Sequence, residues 1–197
     1  MTAKIHSDGK PRCGWLPSGD PLYLSYHDEE WGVPLYDAPA LFELLNLEGF
    51  QAGLSWRTIL YKRENFRRAF AGFDAERLAG WGEAEQARLL ADAGIVRNRL
   101  KVAATLDNAR AYLEVESSYP GGFAGFVWET VEGKPQINHF AQLSEVPAET
   151  PAARVLSKRL KKAGFRFVGP TIVYSFMQAA GLVMDHTIDC FRYQELA

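Results

Sequence analysis

The sequence of 197 residues predicts an all-α fold, and three observations favour this class. Apolar residues recur at three- and four-residue spacing along most of the chain beyond residue 21. Glycine and proline separate these segments, as they do at helix ends. No segment shows the clear alternation of apolar and polar residues that a half-buried strand requires. Because 47% of the residues are hydrophobic, a sizeable core can form, and we expect a single helical unit over residues 12–193.

Each predicted helix combines an apolar face with a capping or breaking residue at its ends. Asp37 is predicted to cap the first strong helix, with Pro39 in its first turn. Gly82 and Gly94 are predicted to end two short helices as C-caps. The predicted helical segments are 41–54, 58–70, the two short segments before Gly82 and Gly94, 98–116, 123–131, 153–164 and 171–181.

The remaining segments lack this periodicity. Residues 1–11 are expected to form a disordered tail, and residues 194–197 a second tail. Residues 132–151 are rich in Pro, Gly and polar side chains and predict a loop, in which only 136–140 has an extended pattern.

Composition excludes several classes of protein. The sequence has no run of 18 apolar residues, so we expect no transmembrane helix and no membrane partner. The first residues lack the apolar region of a signal peptide. Two cysteines cannot form a disulfide framework, which favours a reducing cytosol and a cytoplasmic protein.

Basic residues are concentrated in two segments, although the formal net charge is only −2. Residues 154–166 carry six basic residues and no acidic one, and residues 57–68 carry five basic residues and one acidic one. A local basic face is what binding to nucleic acid requires. The same pattern is also typical of a solvated helix face.

The segment 161–171, KKAGFRFVGPT, predicts a hairpin between a basic amphipathic helix and a buried one. Gly169 would open the second helix, whose unpaired N–H groups can bind a phosphate. Lys161, Lys162 and Arg166 would add positive charge beside that phosphate. This geometry suits binding to a DNA backbone without reading its sequence. Helix pairs joined through glycine are also common in helical proteins that bind no DNA.

A candidate metal centre joins the two ends of the chain. His186 and Cys190 are four residues apart, which would place both on one helical turn. Cys13 and His27 are the natural further ligands, and the four would form a closed Cys₂His₂ set that suits structural zinc. Two buried thiols with two ordinary histidines, or a disulfide between Cys13 and Cys190, remain as alternatives.

Aromatic residues surround one acidic residue between positions 23 and 56. Tyr23, Tyr26, Trp31 and Trp56 are candidates to enclose Glu48, which lies in an apolar stretch. A carboxylate among aromatic rings suits a flat cationic ring, which gains stacking and cation–π attraction. The alternative is an aromatic core with Glu48 solvated at a helix end.

Long ordered motifs carry a resemblance to a known family. The stretches RCGW, DPLY, YHDEEWGVP, LEGFQAGLSW, KREN and FVGPTIVYSFMQAAGLVMDH resemble the DNA-3-methyladenine glycosylase I family, from about residue 12 to residue 193. The resemblance implies a two-lobed helix-hairpin-helix glycosylase fold. It also implies structural zinc on Cys13, His27, His186 and Cys190, and base contacts by Glu48, Tyr26 and Trp56, with Tyr23 and Trp31 close by.

The implied reaction is the release of 3-methyladenine from double-stranded DNA, which leaves an abasic site. The methylated base is extruded from the duplex and departs as a neutral ring, so no strong general acid is needed. Glu48 would accept a hydrogen bond from the exocyclic amine, while Tyr26 and Trp56 would stack on the two faces of the base. No lysine is an evident nucleophile, so we expect a monofunctional enzyme, acting as a monomer.

Two further roles are expected. Gly53 and Leu54 would fill the gap that the extruded base leaves in the stack. Asp185 would orient His186 at the metal, or alternatively assist the chemistry by stabilising the cationic sugar. Three rival functions remain: a DNA-binding module without catalysis, a glycosylase for other damaged bases, and a structural zinc protein with no role on DNA.

Overall fold

A computed structural model describes residues 2–197, and it is mostly helical, which confirms the all-α class. The helices are α1 Pro21–Glu29, α2 Ala38–Gln51, α3 Trp56–Ala69, α4 Ala75–Ala79, α5 Glu83–Ala91, α6 Arg99–Ser118, α7 Gly122–Trp128, α8 Pro151–Lys162, α9 Pro170–Ala179 and α10 Phe191–Leu196. Four two-residue strands accompany them: β1 Lys4–Ile5, β2 Pro11–Arg12, β3 Gln136–Ile137 and β4 Val183–Met184.

Side-chain caps determine where many of the helices begin. The Asp37 carboxylate accepts a hydrogen bond from the backbone N–H of Ala40 at the start of α2, as predicted. Ser55 caps α3 in the same way, Asn98 caps α6, and Thr150 caps α8. Each cap satisfies an N–H group that the helix itself cannot pair, so short polar residues in the sequence fix these boundaries.

The centre of the core lies where α2 packs against α9. Helix α2 also contacts α3, α6 and α7, while α4 and α5 pack against α6. Leu41, Phe42 and Leu45 of α2 are fully or almost fully buried, as are Phe176 and Met177 of α9. Burial of such side chains against several neighbours supplies most of the stability of helices of this length.

The hairpin near residues 161–171 is present. Helix α8 ends at Lys162, Gly164 adopts a φ of +96°, and Gly169 is the N-cap of α9 with Pro170 as its first residue. The left-handed conformation at Gly164 is the reason that glycine stands directly after the basic helix. The division of the unit into two lobes stays a prediction.

The terminal segments differ from the predicted tails. Strand β1 pairs with β2 in antiparallel register, and the N–H of Ala3 donates to the Asp189 carboxylate at 2.7 Å. Residues 2–11 are therefore ordered, and Met1 lies outside the described residues. Residues 194–196 belong to α10 rather than to a tail. The sequence pattern hid both elements because each is short and is held by contacts distant in sequence.

Two predicted helix ends are also wrong. Gly82 is the N-cap of α5, where its N–H donates to the Glu85 carboxylate at 2.8 Å, and Gly80 is the C-cap of α4. Helix α5 ends at Ala91, three residues before Gly94. The extended pattern at 136–140 is confirmed for Gln136–Ile137, which pairs in parallel with β4. Within residues 2–197, none of the helices has the length and apolar character needed to span a bilayer.

Gly181 gives a sharp test of the packing between α9 and the segment before α2. It adopts a φ of +69°, and an added Cβ would lie 2.5 Å from the carbonyl carbon of Val33. We expect Gly181→Ala to lower the free energy of unfolding by about 3 kcal/mol, because a steric clash adds to backbone strain.

Gly133 is the matched control, since its φ is +75° but an added Cβ would meet nothing within 4 Å. Gly133→Ala should cost only about 1 kcal/mol, the penalty of the left-handed conformation. Urea denaturation of both variants measures the difference, and equal losses would contradict this account of the packing.

Candidate functional site

A cavity of about 240 Å³ brings together all five residues predicted to enclose a flat ring. Tyr23 and Tyr26 come from α1, Glu48 from α2 and Trp56 from α3, with Trp31 on the segment that follows α1. The other residues that line the cavity are Trp15, Gln51, Leu143, Val146, Ser175, Gln178, Asp185 and Thr187. Of these, only Asp185 was predicted from the sequence to have a role at the site.

Glu48 is buried, with 4% of its surface exposed, on the last turn of α2. Its Oε2 atom has no hydrogen-bond partner among residues 2–197, and neither does the indole Nε1 of Trp56. Burial raises the pKa of Glu48 to about 8. The alternative of a solvated Glu48 is therefore wrong, and the cavity contains a carboxyl group that lacks a counter-charge.

Tyr26 and Trp56 pack against each other instead of facing each other across a gap. Their ring centroids are 5.3 Å apart, with an angle of 41° between the planes. A flat base inserted between two rings would hold them about 7 Å apart, since each stacking contact needs about 3.5 Å. The predicted sandwich between these two rings is therefore wrong for this arrangement, and the pair forms one wall of the cavity.

Trp15 is the aromatic residue that the sequence analysis missed. Its ring lies 5.5 Å from that of Tyr23 and 5.1 Å from that of Trp31, edge to face with the latter. The signal was present, because Trp15 is two residues after Cys13 in the RCGW motif. Trp15, Tyr23 and Trp31 together form an aromatic group that continues the cavity lining beyond the Tyr26–Trp56 pair.

The same Tyr26–Trp56 pair also separates this cavity from a second one of about 280 Å³. Two arginines line the second cavity, but Arg63 pairs with Glu30 and Arg67 pairs with Glu43. The charges of both arginines are therefore already compensated, whereas the first cavity contains the unpartnered carboxyl group of Glu48.

Asp185 is buried in the wall of the first cavity and accepts three hydrogen bonds. Asn138 donates to it at 2.7 Å, Gln178 donates at 2.8 Å, and the hydroxyl of Tyr174 donates as well. These donors hold the carboxylate facing the cavity. The hydrogen bonds link the loop after β3 to α9 through this one side chain.

Asp185 does not orient His186, so the role preferred in the sequence analysis is wrong. The Nε2 of His186 lies 2.9 Å from the backbone carbonyl of Trp31. A carbonyl oxygen only accepts, so Nε2 carries the proton and Nδ1 presents its lone pair. That Nδ1 lies 3.4 Å from the Sγ of Cys13 and 3.6 Å from the Sγ of Cys190.

The four predicted metal ligands converge in the interior. The ligand atoms of Cys13, His27, His186 and Cys190 all lie within 4.8 Å of one another, and all four residues are buried. The two thiols are coupled: hydrogen bonds to Cys13 and then to His186 and His27 lower the pKa of the Cys190 thiol, whereas the hydrogen bond to Cys190 and burial raise that of the Cys13 thiol. Deprotonated sulfur beside neutral imidazole nitrogen is the donor set that a metal ion can bind.

The local geometry of this cluster differs from the prediction. His186 and Cys190 do not lie on a helical turn, because residues 185–190 form an irregular segment between β4 and α10. The N–H of Cys190 donates to the carbonyl of Thr187 at 2.8 Å, and this turn brings the two side chains together. A tight turn and a helical turn give the same sequence spacing, so spacing alone could not distinguish them.

A partly buried ion-pair network supports His27 from outside the cluster. The Nδ1 of His27 lies 2.8 Å from the Asp28 carboxylate, which leaves Nε2 directed at the Sγ of Cys190 at 3.6 Å. Arg12, only 1% exposed, donates to Asp28 and also to Asp8. A carboxylate behind a histidine fixes its tautomer and ring orientation. Arg12 and Asp28 were not predicted to belong to the site, although both adjoin predicted ligands.

The residues predicted to contact a DNA backbone lie on the surface of the hairpin. Lys161 and Lys162 are exposed at the end of α8. Arg166 is also exposed, but its guanidinium donates to Asp107 at 2.6 Å, so part of its charge is neutralised. Nothing lies within 4 Å of a Cβ added at Gly169, so the start of α9 is open to a ligand.

Gly53 and Leu54 occupy an exposed turn between α2 and α3. Gly53 has a φ of +79°, and Leu54 is 45% exposed. An apolar side chain so exposed at a turn tip is available for contact with a partner. The turn begins four residues after Glu48, so the exposed tip and the cavity acid belong to one continuous segment.

Comparisons with known proteins agree with this geometry. The family model described as methyladenine glycosylase matches residues 15–193. The chain is 54% identical over 182 residues to DNA-3-methyladenine glycosylase 1 of Escherichia coli (strain K12), covering 92% of this chain and 96% of the relative.

Two solved structures are similar as well. A crystal structure of 3-methyladenine DNA glycosylase I is 54% identical, with a TM-score of 0.89, and the match covers 91% of this chain and 98% of that one. A tyrosine-to-phenylalanine variant of 3-methyladenine DNA glycosylase I in complex with 3-methyladenine is 44% identical, with a TM-score of 0.85, covering 88% and 93%.

The raised pKa of Glu48 predicts a pH dependence of stability. Its pKa rises from 4.5 to about 8 on folding, so the folded protein holds a proton that the unfolded chain releases at neutral pH. This stabilising contribution is complete below about pH 4 and is lost as the pH rises through about 8. The free energy of unfolding of Glu48→Gln should therefore increase relative to wild type between pH 5 and pH 8.

Urea denaturation across this pH range measures the difference, with Glu76→Gln as an exposed control that should follow wild type. Parallel curves for wild type and Glu48→Gln would show that the Glu48 carboxyl is ionised in the folded protein at neutral pH.

Proposed function

Because the chain belongs to the methyladenine glycosylase family, we propose that it hydrolyses the N-glycosidic bond of 3-methyladenine in double-stranded DNA. The observation that carries this proposal is the buried Glu48 carboxyl, which faces an aromatic cavity without a partner. A buried acid without a counter-charge is costly, so a group that supplies positive charge and N–H donors should occupy the cavity.

Charge explains the preference for an alkylated base. Methylation at N3 makes the base of the nucleotide cationic, whereas unmodified adenine is neutral. The cation would lower the raised pKa of Glu48 and pair with the ionised carboxylate. The exocyclic amine would donate a hydrogen bond to that carboxylate. Unmodified adenine offers no such compensation, and its intact pairing makes extrusion from the duplex more costly.

The same positive charge activates the leaving group. When the glycosidic bond breaks, its electron pair neutralises the base, so the cavity needs no strong general acid. Water then completes the reaction at the sugar, which yields free 3-methyladenine and an abasic site. We assign no lysine as a nucleophile. The proposed enzyme is therefore monofunctional, which means that it removes the base and leaves the DNA strand uncut.

The aromatic residues would bind the extruded ring together. Tyr26 and Trp56 form one wall as a packed pair, and Trp15 extends the lining with Tyr23 and Trp31. Contact with several aromatic faces favours a flat cation through stacking and cation–π attraction. The base would therefore contact one continuous aromatic lining instead of lying between the rings of Tyr26 and Trp56.

The exposed elements would position the DNA. The start of α9 at Gly169, with Lys161, Lys162 and Arg166 beside it, would bind phosphates. The turn at Gly53 and Leu54 would fill the gap in the base stack. Asp185 faces the cavity rather than the metal cluster, which favours its alternative role of stabilising positive charge on the sugar.

Zinc is the metal that we propose for the Cys₂His₂ cluster. With zinc–sulfur bonds of about 2.3 Å and zinc–nitrogen bonds of about 2.0 Å, a tetrahedral centre has sulfur–nitrogen edges of about 3.5 Å. The three measured edges are 3.4, 3.6 and 3.6 Å. All four positions are protein ligands, so the ion would be structural and would join residue 13 to residue 190.

A single chain supplies every residue of the cavity, so the proposed active unit is a monomer. The similar proteins named above include an enzyme from Escherichia coli, whose DNA lies in the cytoplasm. We therefore place this enzyme in the cytoplasm with its DNA substrate.

Base release tests the proposed reaction. Incubation with methylated duplex DNA should release free 3-methyladenine, detected by chromatography, and leave alkali-sensitive abasic sites in an uncut strand. Glu48→Gln should slow single-turnover release about 100-fold, because the variant cannot pair with the cation, while Glu76→Gln should not.

Deaminated DNA serves as the comparison substrate. Equal release of deaminated bases would replace the proposed specificity with a broader one. No release from either DNA would favour a binding module, and absence of salt-dependent DNA binding would favour a purely structural protein.

Metal analysis tests the zinc proposal. The purified protein should contain one zinc ion per chain. His27→Ala should lose the metal and lower the Tm by about 5 to 15 °C, because the ion joins segments from both ends of the chain. His139→Ala, which removes an exposed histidine outside the cluster, is the matched control. Unchanged metal content in His27→Ala would contradict the ligand assignment.

A further inference from the structure

Lys101 is a buried cation that none of the roles above uses. Only 7% of its surface is exposed, and among residues 2–197 no carboxylate lies within ion-pair distance of its Nζ. The ammonium group instead donates to the carbonyl of Phe50 at 2.8 Å and to that of Ala52 at 2.5 Å. Burial lowers its pKa.

These two carbonyls belong to the end of α2 and the start of the exposed turn. The negative end of the helix dipole favours a cation here, which accounts for the attraction. The exposed turn at residues 131–134, by contrast, closes without a buried charge. There, the backbone N–H groups of Glu132, Gly133 and Lys134 donate to preceding carbonyls, and these hydrogen bonds are sufficient to close the turn. A lysine taken out of water for this purpose indicates that the position of the turn matters.

Helix α6 also holds the hairpin. The Asn108 side chain donates to the carbonyl of Arg166 at 3.2 Å and accepts from the N–H of Arg166 at 2.7 Å. It donates in addition to Asn46 of α2 at 2.9 Å. Lys101 and Asn108 are seven residues apart on one helix, which corresponds to about 10 Å along its axis.

We propose that Lys101 is a positioning residue, which fixes the turn at Gly53 and Leu54 relative to the phosphate-binding hairpin. Helix α6 then sets the distance between the turn at Gly53 and Leu54, which would enter the base stack, and the hairpin, which would bind the DNA backbone. This inference rests on the proposed function. It requires that extrusion of a base from duplex DNA depends on Lys101, whereas binding of the free base in the cavity does not, because Lys101 does not line the cavity.

Lys101→Met tests this assignment, because it removes the ammonium group and keeps a long apolar stem. Single-turnover excision from methylated duplex DNA should fall about 10- to 100-fold, as expected for a misplaced positioning element. Affinity for free 3-methyladenine, followed by tryptophan fluorescence, should stay within about twofold of wild type.

Lys62→Met is the matched control. Lys62 also donates to two backbone carbonyls, those of Ala93 at 3.3 Å and Gly94 at 3.1 Å, but these belong to a different loop. Lys62→Met should leave both measurements within about twofold of wild type. Retained duplex excision in Lys101→Met, or parallel loss of excision and free-base affinity, would overturn the proposal.

A second variant keeps the test independent of whether Lys101→Met folds. One glycine inserted between Ala52 and Gly53 loosens the exposed turn and leaves Lys101 in place, and such insertions are tolerated at loop tips. It should show the same split between duplex excision and free-base binding, and normal duplex excision would overturn the proposal. Failure of the proposed function itself is distinguishable, since wild-type protein would then release no 3-methyladenine.

Discussion

The proposed chemistry of this protein depends on one buried carboxyl group without a partner, that of Glu48. Glu48 lies on the last turn of α2, and the packing of α2 against α9 holds it in an aromatic cavity instead of in water. Burial raises the pKa of Glu48, so the ligand that we propose for the cavity is one that brings positive charge. In the proposed mechanism, entry of a cationic base offsets the cost of burying the acid, so the same interaction would provide both affinity and discrimination against neutral bases.

The Cys₂His₂ cluster and the cavity are parts of one assembly. Each of three ligands is close in sequence to a residue that lines the cavity. Cys13 is two residues before Trp15, His27 follows Tyr26, and His186 lies between Asp185 and Thr187. The carbonyl of Trp31, another lining residue, accepts from His186. An ion that holds the four ligands would therefore also hold the aromatic lining, although it takes no part in the reaction. Arg12 and Asp28 extend this support outward from His27.

A second constraint is the spacing between the two exposed elements that we propose to contact DNA when a stacked base moves into the cavity. The turn at Gly53 and Leu54 follows the helix that carries Glu48, and the hairpin packs on the same α6 that holds this turn through Lys101. Positioning on helices is more accurate than positioning on loops, because the backbone hydrogen bonds of a helix restrain its residues relative to one another. The proposed DNA contacts of the turn and the hairpin would therefore keep a fixed spacing.

The sequence by itself determined the helical class, most helix positions, the hairpin and the membership of the family, which the comparisons confirm. These depend on local periodicity, on caps such as Asp37, and on motifs read along the chain. Only the tertiary structure decided that Tyr26 and Trp56 pack together, that Trp15 joins the cavity, that Asp185 turns away from His186, and that Lys101 holds the turn. Each of these depends on contacts between residues far apart in sequence, or on side-chain directions that spacing does not specify, and such contacts form only when the helices pack.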